Sequence, residues 1–331
     1  MTRVVRFHEL GGPEVLRLEE AEPGLPGPGE ALVRIEAIGL NRAEASFRAG
    51  RYVEQPRALP CGLGYEAAGT VEAVGPGAAS FAPGDPVSVL PTFSMNDYAV
   101  YAERAVVPTA ALLPRAPELD PVLGAALWMP YLTAYGALVE VVGLGKEEAV
   151  VIPAASSSVG LAAIQLARML GAVPVAVTRT EEKRAALLAA GAAEVVVTER
   201  QDLVEEVLRI TGGAGARMVL DPVAGPWVET LARATAPGGT VVVYGSLSGE
   251  PTPFPRLAVG KGLALRGYLV FEITSRPELL ARAVEFINSG LRSGQLRPTV
   301  DRTFPLDEVV AAHRYLESNR QIGKIVLTVQ H

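Results

Sequence analysis

The stretch VVIPAASSSVGLAAIQLA, residues 150–167, decides how the chain is read. An apolar run ends at Pro153, small residues follow, and an amphipathic helical pattern opens around Ser158. A strand, a tight turn and a helix start in this order aim free backbone N–H groups and the positive helix end at one point, which suits a phosphate. Small side chains let the ligand come close to the backbone. The spacing G-x-G-x-x-G is not present: Gly160 alone remains, with Ser157 and Ser158 where glycines would stand. Ser157, Ser158, Val159 and Gly160 are therefore candidate phosphate ligands. The alternative is an ordinary helix capped by a serine, Ser158 being the candidate cap.

Outward from this loop, apolar runs alternate with amphipathic segments. Strands are predicted at 149–152, 173–178, 194–197, 218–221, 240–244 and 264–269, and helices at 159–170, 181–190, 202–210 and 227–234. Gly171, Gly191 and Gly212 fit helix ends. Such alternation predicts a parallel sheet covered on both faces, and six strands suffice for a doubly wound dinucleotide fold. The second strand runs into Thr178-Arg179-Thr180 and then Glu181-Glu182-Lys183-Arg184. An acidic residue bonding a ribose 2′-hydroxyl is missing at that strand end. Arg179, Thr180 and Lys183 instead suit a 2′-phosphate, favouring NADPH over NADH, or else form a solvated helix start. Tyr244 and Gly245 end the fifth strand at the edge where ligands bind in such sheets, although Gly245 also fits an ordinary tight turn.

The first 120 residues read differently. Short β-prone segments such as 31–38, 67–74 and 86–90 are punctuated by PGLPGPGE, GPG and PGDP. They predict a sheet-rich, barrel-type module. Residues 270–331 carry two helical patterns, 277–289 and 306–318, and a final strand at 324–329. The expected division is 1–123, 124–268 and a tail, 269–331, that returns to the first module.

Composition excludes several classes. The chain has 331 residues, 49% of them hydrophobic, and a formal charge of −6. Disorder is excluded by the apolar content. A disulfide scaffold is excluded because Cys61 is the only cysteine. The acidic balance argues against nucleic acid. No uninterrupted apolar run reaches about 18 residues and no signal peptide is evident, so no membrane partner and a cytoplasmic location are expected.

The chain resembles the zinc-independent branch of the medium-chain dehydrogenase/reductase superfamily, in particular NADPH:quinone oxidoreductases of the zeta-crystallin type. The resemblance lies in GGPEVLRLEE at the start, GEALVRIEAIGLNRAEASFRAGRY at 29–52, GYEAAGTVEAVGPGAASFAPGDPV at 64–87, the loop above, and GKIVLTV at 323–329. It implies a GroES-like β module beside a Rossmann domain, with NADPH in the cleft between them and a homodimer paired through the sixth strand. Zinc alcohol dehydrogenases of this superfamily carry Cys where this chain has Asn41 and His where it has Tyr65, leaving Glu66 alone of the expected ligands. No metal is therefore expected, since zinc needs about three protein ligands. Other departures are the serines at 157 and 158, Glu44 where Asp is common, and Thr198 where some relatives have Tyr.

The same resemblance puts Asn41, Tyr52 and Thr133 near the nicotinamide. Asn41 would orient the ring carboxamide or bond a substrate carbonyl, or else is a turn residue. Tyr52 would donate to a reduced oxygen, or else packs as a loop aromatic. Lys324 would reach the cofactor, or else is surface charge. The three histidines form no triad and read as structural. The expected activity is NADPH-dependent hydride transfer to a quinone or activated carbonyl compound. Its rivals are an enone or 2-alkenal reductase on the same scaffold and an NADPH-binding protein without turnover.

Overall fold

In the computed structural model, which describes residues 1–77, 80–116 and 119–331, the chain divides into two compact units. One comprises Met1–Met129 with Pro298–His331, and the other Pro130–Arg297. Ala78 and Ala79, inside the Gly/Pro-rich stretch quoted above, lie outside the described residues.

In the second unit, the valine-rich runs form a six-stranded parallel sheet. Its strands are Ala149–Ile152, Val173–Thr178, Glu194–Val197, Ala216–Asp221, Thr235–Val243 and Ala264–Gly267. Numbered within this unit, their order is 3-2-1-4-5-6. β-Branched side chains suit strands whose two faces are both covered. Val151, Val175, Val196, Val219 and Val241 share one core with Val207, Val228 and Leu231 from the covering helices. The first three strands lie where the sequence predicts them. The fourth and fifth start earlier, at Ala216 and Thr235, because Ala216 pairs with Thr235 across an irregular step before Met218 pairs with Thr240. The order reverses at Ala149–Ile152, between Val173–Thr178 and Ala216–Asp221. A crevice at the carboxyl end of the strands opens at such a reversal.

Helix Ser158–Met169 follows the central strand and buries Leu161, Ala162, Ile164 and Leu166. The unit runs on to Arg297, beyond the boundary expected at 268. Helix Pro277–Arg292 stays with it: Phe286 packs on Tyr135 with ring centroids 5.3 Å apart, and a Cβ at Gly290 would lie 2.4 Å from Leu296.

The first unit holds a seven-stranded sheet. Along it run Val300–Pro305, Lys324–Thr328, Glu30–Gly39, Glu66–Val74, Pro86–Val89 and Leu112–Pro114, while Arg104–Pro108 pairs with the start of Glu30–Gly39. Thr2–Phe7 and Leu16–Ala21 form a separate hairpin. The tail strand pairs antiparallel with Glu30–Gly39 through Val326 with Gly39 and Leu327 with Ile38. This register carries Lys324 past the end of its partner strand, beside Asn41.

The helix Pro121–Tyr135, extended by a π-helical turn to Val141, carries Thr133 and Tyr135, which the sequence places on a helix entering the second unit without giving its bounds. It is long enough, and with a mean hydropathy of 1.4 apolar enough, to cross a membrane by those measures alone. Within the protein 83% of that window is buried, which is the burial of a core helix.

Candidate active site

At the carboxyl end of the central strand, Ala154 adopts a left-handed backbone with φ of 46°. Two hydrogen bonds hold the turn: Ala155 N donates to Val177 O at 3.3 Å, and Ser157 N to Ala154 O at 2.9 Å. Ser157 is the helix cap, its Oγ accepting from Gly160 N at 3.1 Å. Ser158, the cap candidate from sequence, is instead the first helical residue. Its amide and that of Val159 have no helical carbonyl to donate to. Gly160 is needed for packing, since a Cβ there would sit 2.5 Å from Ala155 O. The result is a partly exposed row, Ser156 to Val159, over a buried glycine. It fits a pyrophosphate.

Basic groups gather nearby. Lys183 Nζ donates to Ser156 Oγ at 2.9 Å, which brings its charge to the loop. Ser156 was missed by sequence reading, because only its serine neighbours align with the usual glycines. Arg179 is exposed at the strand end. Thr180 precedes a short turn and makes no side-chain cap bond. Glu181 is occupied by Arg184 and Arg200, at 3.7 and 3.6 Å. Tyr244 lies against Ser157, and burial holds its phenol above the ordinary range. Gly245 packs on Pro222, where a Cβ would be 2.7 Å from the Pro222 carbonyl oxygen. Thr133 is buried on the helix Pro121–Tyr135.

In the first unit, four polar side chains make a second cluster. Lys324 Nζ donates to Glu66 Oε2 and to Asn41 Oδ1, each at 2.6 Å. Lys324 is 1% exposed and Glu66 0%, so the surface-charge reading of Lys324 is overturned. Glu66 Oε1 accepts from Met129 N at 2.8 Å. Asn41 opens the helix Arg42–Arg48, and its backbone N–H donates to Glu44 Oε2 at 2.6 Å. Asn41 Nδ2 donates to Glu44 Oε1 at 3.1 Å and to Gly39 O at 3.2 Å.

Asn41 is thus engaged at both ends. Its two amide hydrogens are used, and Oδ1 takes the Lys324 ammonium and faces the backbone N–H of Glu44 in a reciprocal cap. With both amide hydrogens spent, it has no N–H to offer a substrate carbonyl. Glu44 is fully buried, and burial pushes its carboxyl up to about 7, against the pull of Lys324 and the Asn41 donors. Sequence reading treated Glu44 only as a departure, although Asn41-x-x-Glu44 is the spacing of a reciprocal helix cap.

Tyr52 is half-buried in an aromatic row. Its ring meets Phe47 edge-on at 6.5 Å and lies tilted against Tyr65 at 6.3 Å. Burial, with Glu44 and Glu54 nearby, raises its phenol above the usual value. The histidines are engaged elsewhere. His8 bonds Glu19, His313 bonds Arg48 at 2.9 Å, and His331 bonds Ile35 O at 2.7 Å. Cys61 is buried, and burial raises its thiol.

Two family models match the chain: an alcohol dehydrogenase GroES-like domain over residues 27–154 and a zinc-binding dehydrogenase over residues 158–289. The human quinone oxidoreductase is 32% identical over 330 residues, covering 99% of this chain and 98% of its own. A 2-haloacrylate reductase of a Burkholderia species is 31% identical over the full length of both chains. The crystal structure of Escherichia coli quinone oxidoreductase complexed with NADPH superposes with a TM-score of 0.92 at 31% identity, covering 99% of this chain and all of that one.

The residues present do not fit the zinc ion named in one family description. Asn41 and Tyr65 stand at two ligand positions, and Glu66 is spent on Lys324. Among the described residues, no three His, Cys, Asp or Glu side chains form a metal-binding group. By the extent of these matches, the chain belongs to the quinone oxidoreductase branch of the medium-chain dehydrogenase/reductase superfamily.

Proposed function

We propose that the chain is an NADPH-dependent reductase that passes hydride to a quinone or activated carbonyl compound without a zinc ion. The observation that carries this reading is the serine-capped loop at the sheet's reversal, with Lys183 drawn onto it. The amides of Ser158 and Val159, with Ser157, would hold the pyrophosphate. Arg179, Thr180 and Lys183 would hold the 2′-phosphate, and Tyr244, Gly245 and Thr133 would line the rest of the cofactor's path. NADPH, when bound, supplies the hydride.

Asn41 Oδ1 would accept a hydrogen bond from the nicotinamide carboxamide, sharing it with the Lys324 ammonium. Tyr52 would donate one to the developing oxyanion. Its raised pKa makes it a hydrogen-bond donor rather than a ready source of a proton. A quinone suits such a site because its reduced form spreads negative charge over the ring.

Reduction of a conjugated carbon–carbon bond is the second reading. It is favoured by the likeness to the 2-haloacrylate reductase. Stopped-flow oxidation of NADPH against quinones, enals and enones, followed by product analysis, separates the two. Fast turnover with quinones is expected. Binding of NADPH with no oxidation by any acceptor overturns both readings.

A homodimer and a cytoplasmic location belong to the same proposal. Among the described residues, the edge strand Ala264–Gly267 has one unpaired side, and the exposed Leu257 and Val259 precede it closely in the chain.

A further inference from the structure

We infer that Lys324 is a positioning residue: its buried ammonium is a resident cation that fixes which end of the Asn41 amide faces a ligand. The inference rests on the role proposed for Asn41. Lys324 Nζ lies 2.6 Å from both Asn41 Oδ1 and Glu66 Oε2. An ammonium has three donors and no acceptor, so it holds an amide only by its oxygen. On the other side, Glu44 Oε1 and Gly39 O take the Nδ2 hydrogens. A flipped amide would set N–H against ammonium and oxygen against carboxylate. The cluster therefore permits one orientation.

The surroundings are built tightly around that charge. A Cβ at Gly39 would meet Ala125 O at 2.0 Å, Lys324 Cε at 2.8 Å and Glu66 Oε2 at 2.9 Å. Glu66 is locked from its other oxygen by Met129 N. Burying an ammonium is costly, and two short charge-assisted bonds offset it here. The positive charge also draws electron density toward Oδ1, the atom that the proposed role of Asn41 uses.

The test compares wild type with Lys324→Ala, Asn41→Ala and the double variant, in NADPH oxidation by a quinone. Lys324→Ala is expected to lower kcat on the order of 10- to 100-fold, with the quinone KM little changed. Added ethylammonium should restore much of that loss. Tetramethylammonium, with the same charge but no N–H, should not. The double variant should be no worse than the poorer single, because both changes remove one interaction.

Undiminished kcat in Lys324→Ala, additive losses, or equal response to the two cations would overturn the inference. A loss in Asn41→Ala with none in Lys324→Ala defeats the inference alone. No loss in either defeats the Asn41 reading beneath it. Should Lys324→Ala not fold, Lys324→Met fills the same space without charge and carries the same expectation for kcat.

Discussion

Around Ser157 the groups offered to a ligand are backbone amides set by one strand, one turn and one helix. Around Lys324 they are four side chains gathered from three stretches of the chain, and Lys324 and Asn41 are 283 residues apart. The first arrangement tolerates substitution, because amides stay in place whether the turn carries glycine or serine. The second does not, because its members share partners, Lys324 holding both Asn41 and Glu66, so that removing one releases the others. Substitutions should separate the two regions accordingly.

The largest effect is expected at the buried ion pair. Glu66→Leu leaves the Lys324 ammonium without its carboxylate and should cost about 3–5 kcal/mol of stability. The urea midpoint measures it, and a midpoint equal to wild type would mean the pair contributes nothing. Next come the basic residues near the loop. Arg179→Ala and Lys183→Ala should each weaken NADPH binding by about tenfold to a hundredfold while changing NADH binding far less. Nucleotide fluorescence titration reads both constants, and equal losses for the two nucleotides would remove the 2′-phosphate role.

The first unit should also show two opposed pH dependences. Glu44 is raised in the fold to about 7, so its share of stability is full below about pH 4.5 and is lost as pH climbs through 7. His313, fully buried beside the Arg48 guanidinium, is lowered to about 3. Its share is present above about pH 6.5 and is lost as pH falls toward 3. Melting temperatures between pH 4 and 8 should therefore fall less steeply toward neutral pH in Glu44→Gln, and less steeply toward acid in His313→Phe. Parallel profiles for either variant and wild type would contradict the assignment. The smallest effect belongs to the loop cap: Ser157→Ala should cost about 1 kcal/mol in thermal stability, because the first-turn amides remain where they are.

The same contrast explains what the sequence reveals. The parallel sheet is legible because its strands and helices repeat a local pattern, and valine runs such as 194–197 mark their own limits. Strands such as Leu16–Ala21 and Val300–Pro305 are hidden, because partly exposed short strands carry little periodicity until their partners are known. Asn41 and Lys324 were each visible as site candidates, but no local pattern joins them. Their contact is a product of register between Lys324–Thr328 and Glu30–Gly39. Glu44 was within reach through its capping spacing to Asn41.

The return of residues 298–331 to the first unit has a consequence for biosynthesis. The parallel-sheet unit is whole once residue 297 has left the ribosome and can fold on the nascent chain as a continuous segment. The first unit must wait for its late strand, so its sheet keeps an open seam along Glu30–Gly39 until synthesis has passed Thr328. A chaperone that shields unpaired strand edges would find its client there, and translation stalled before residue 324 would release a protein with the nucleotide loop formed and the ammonium missing.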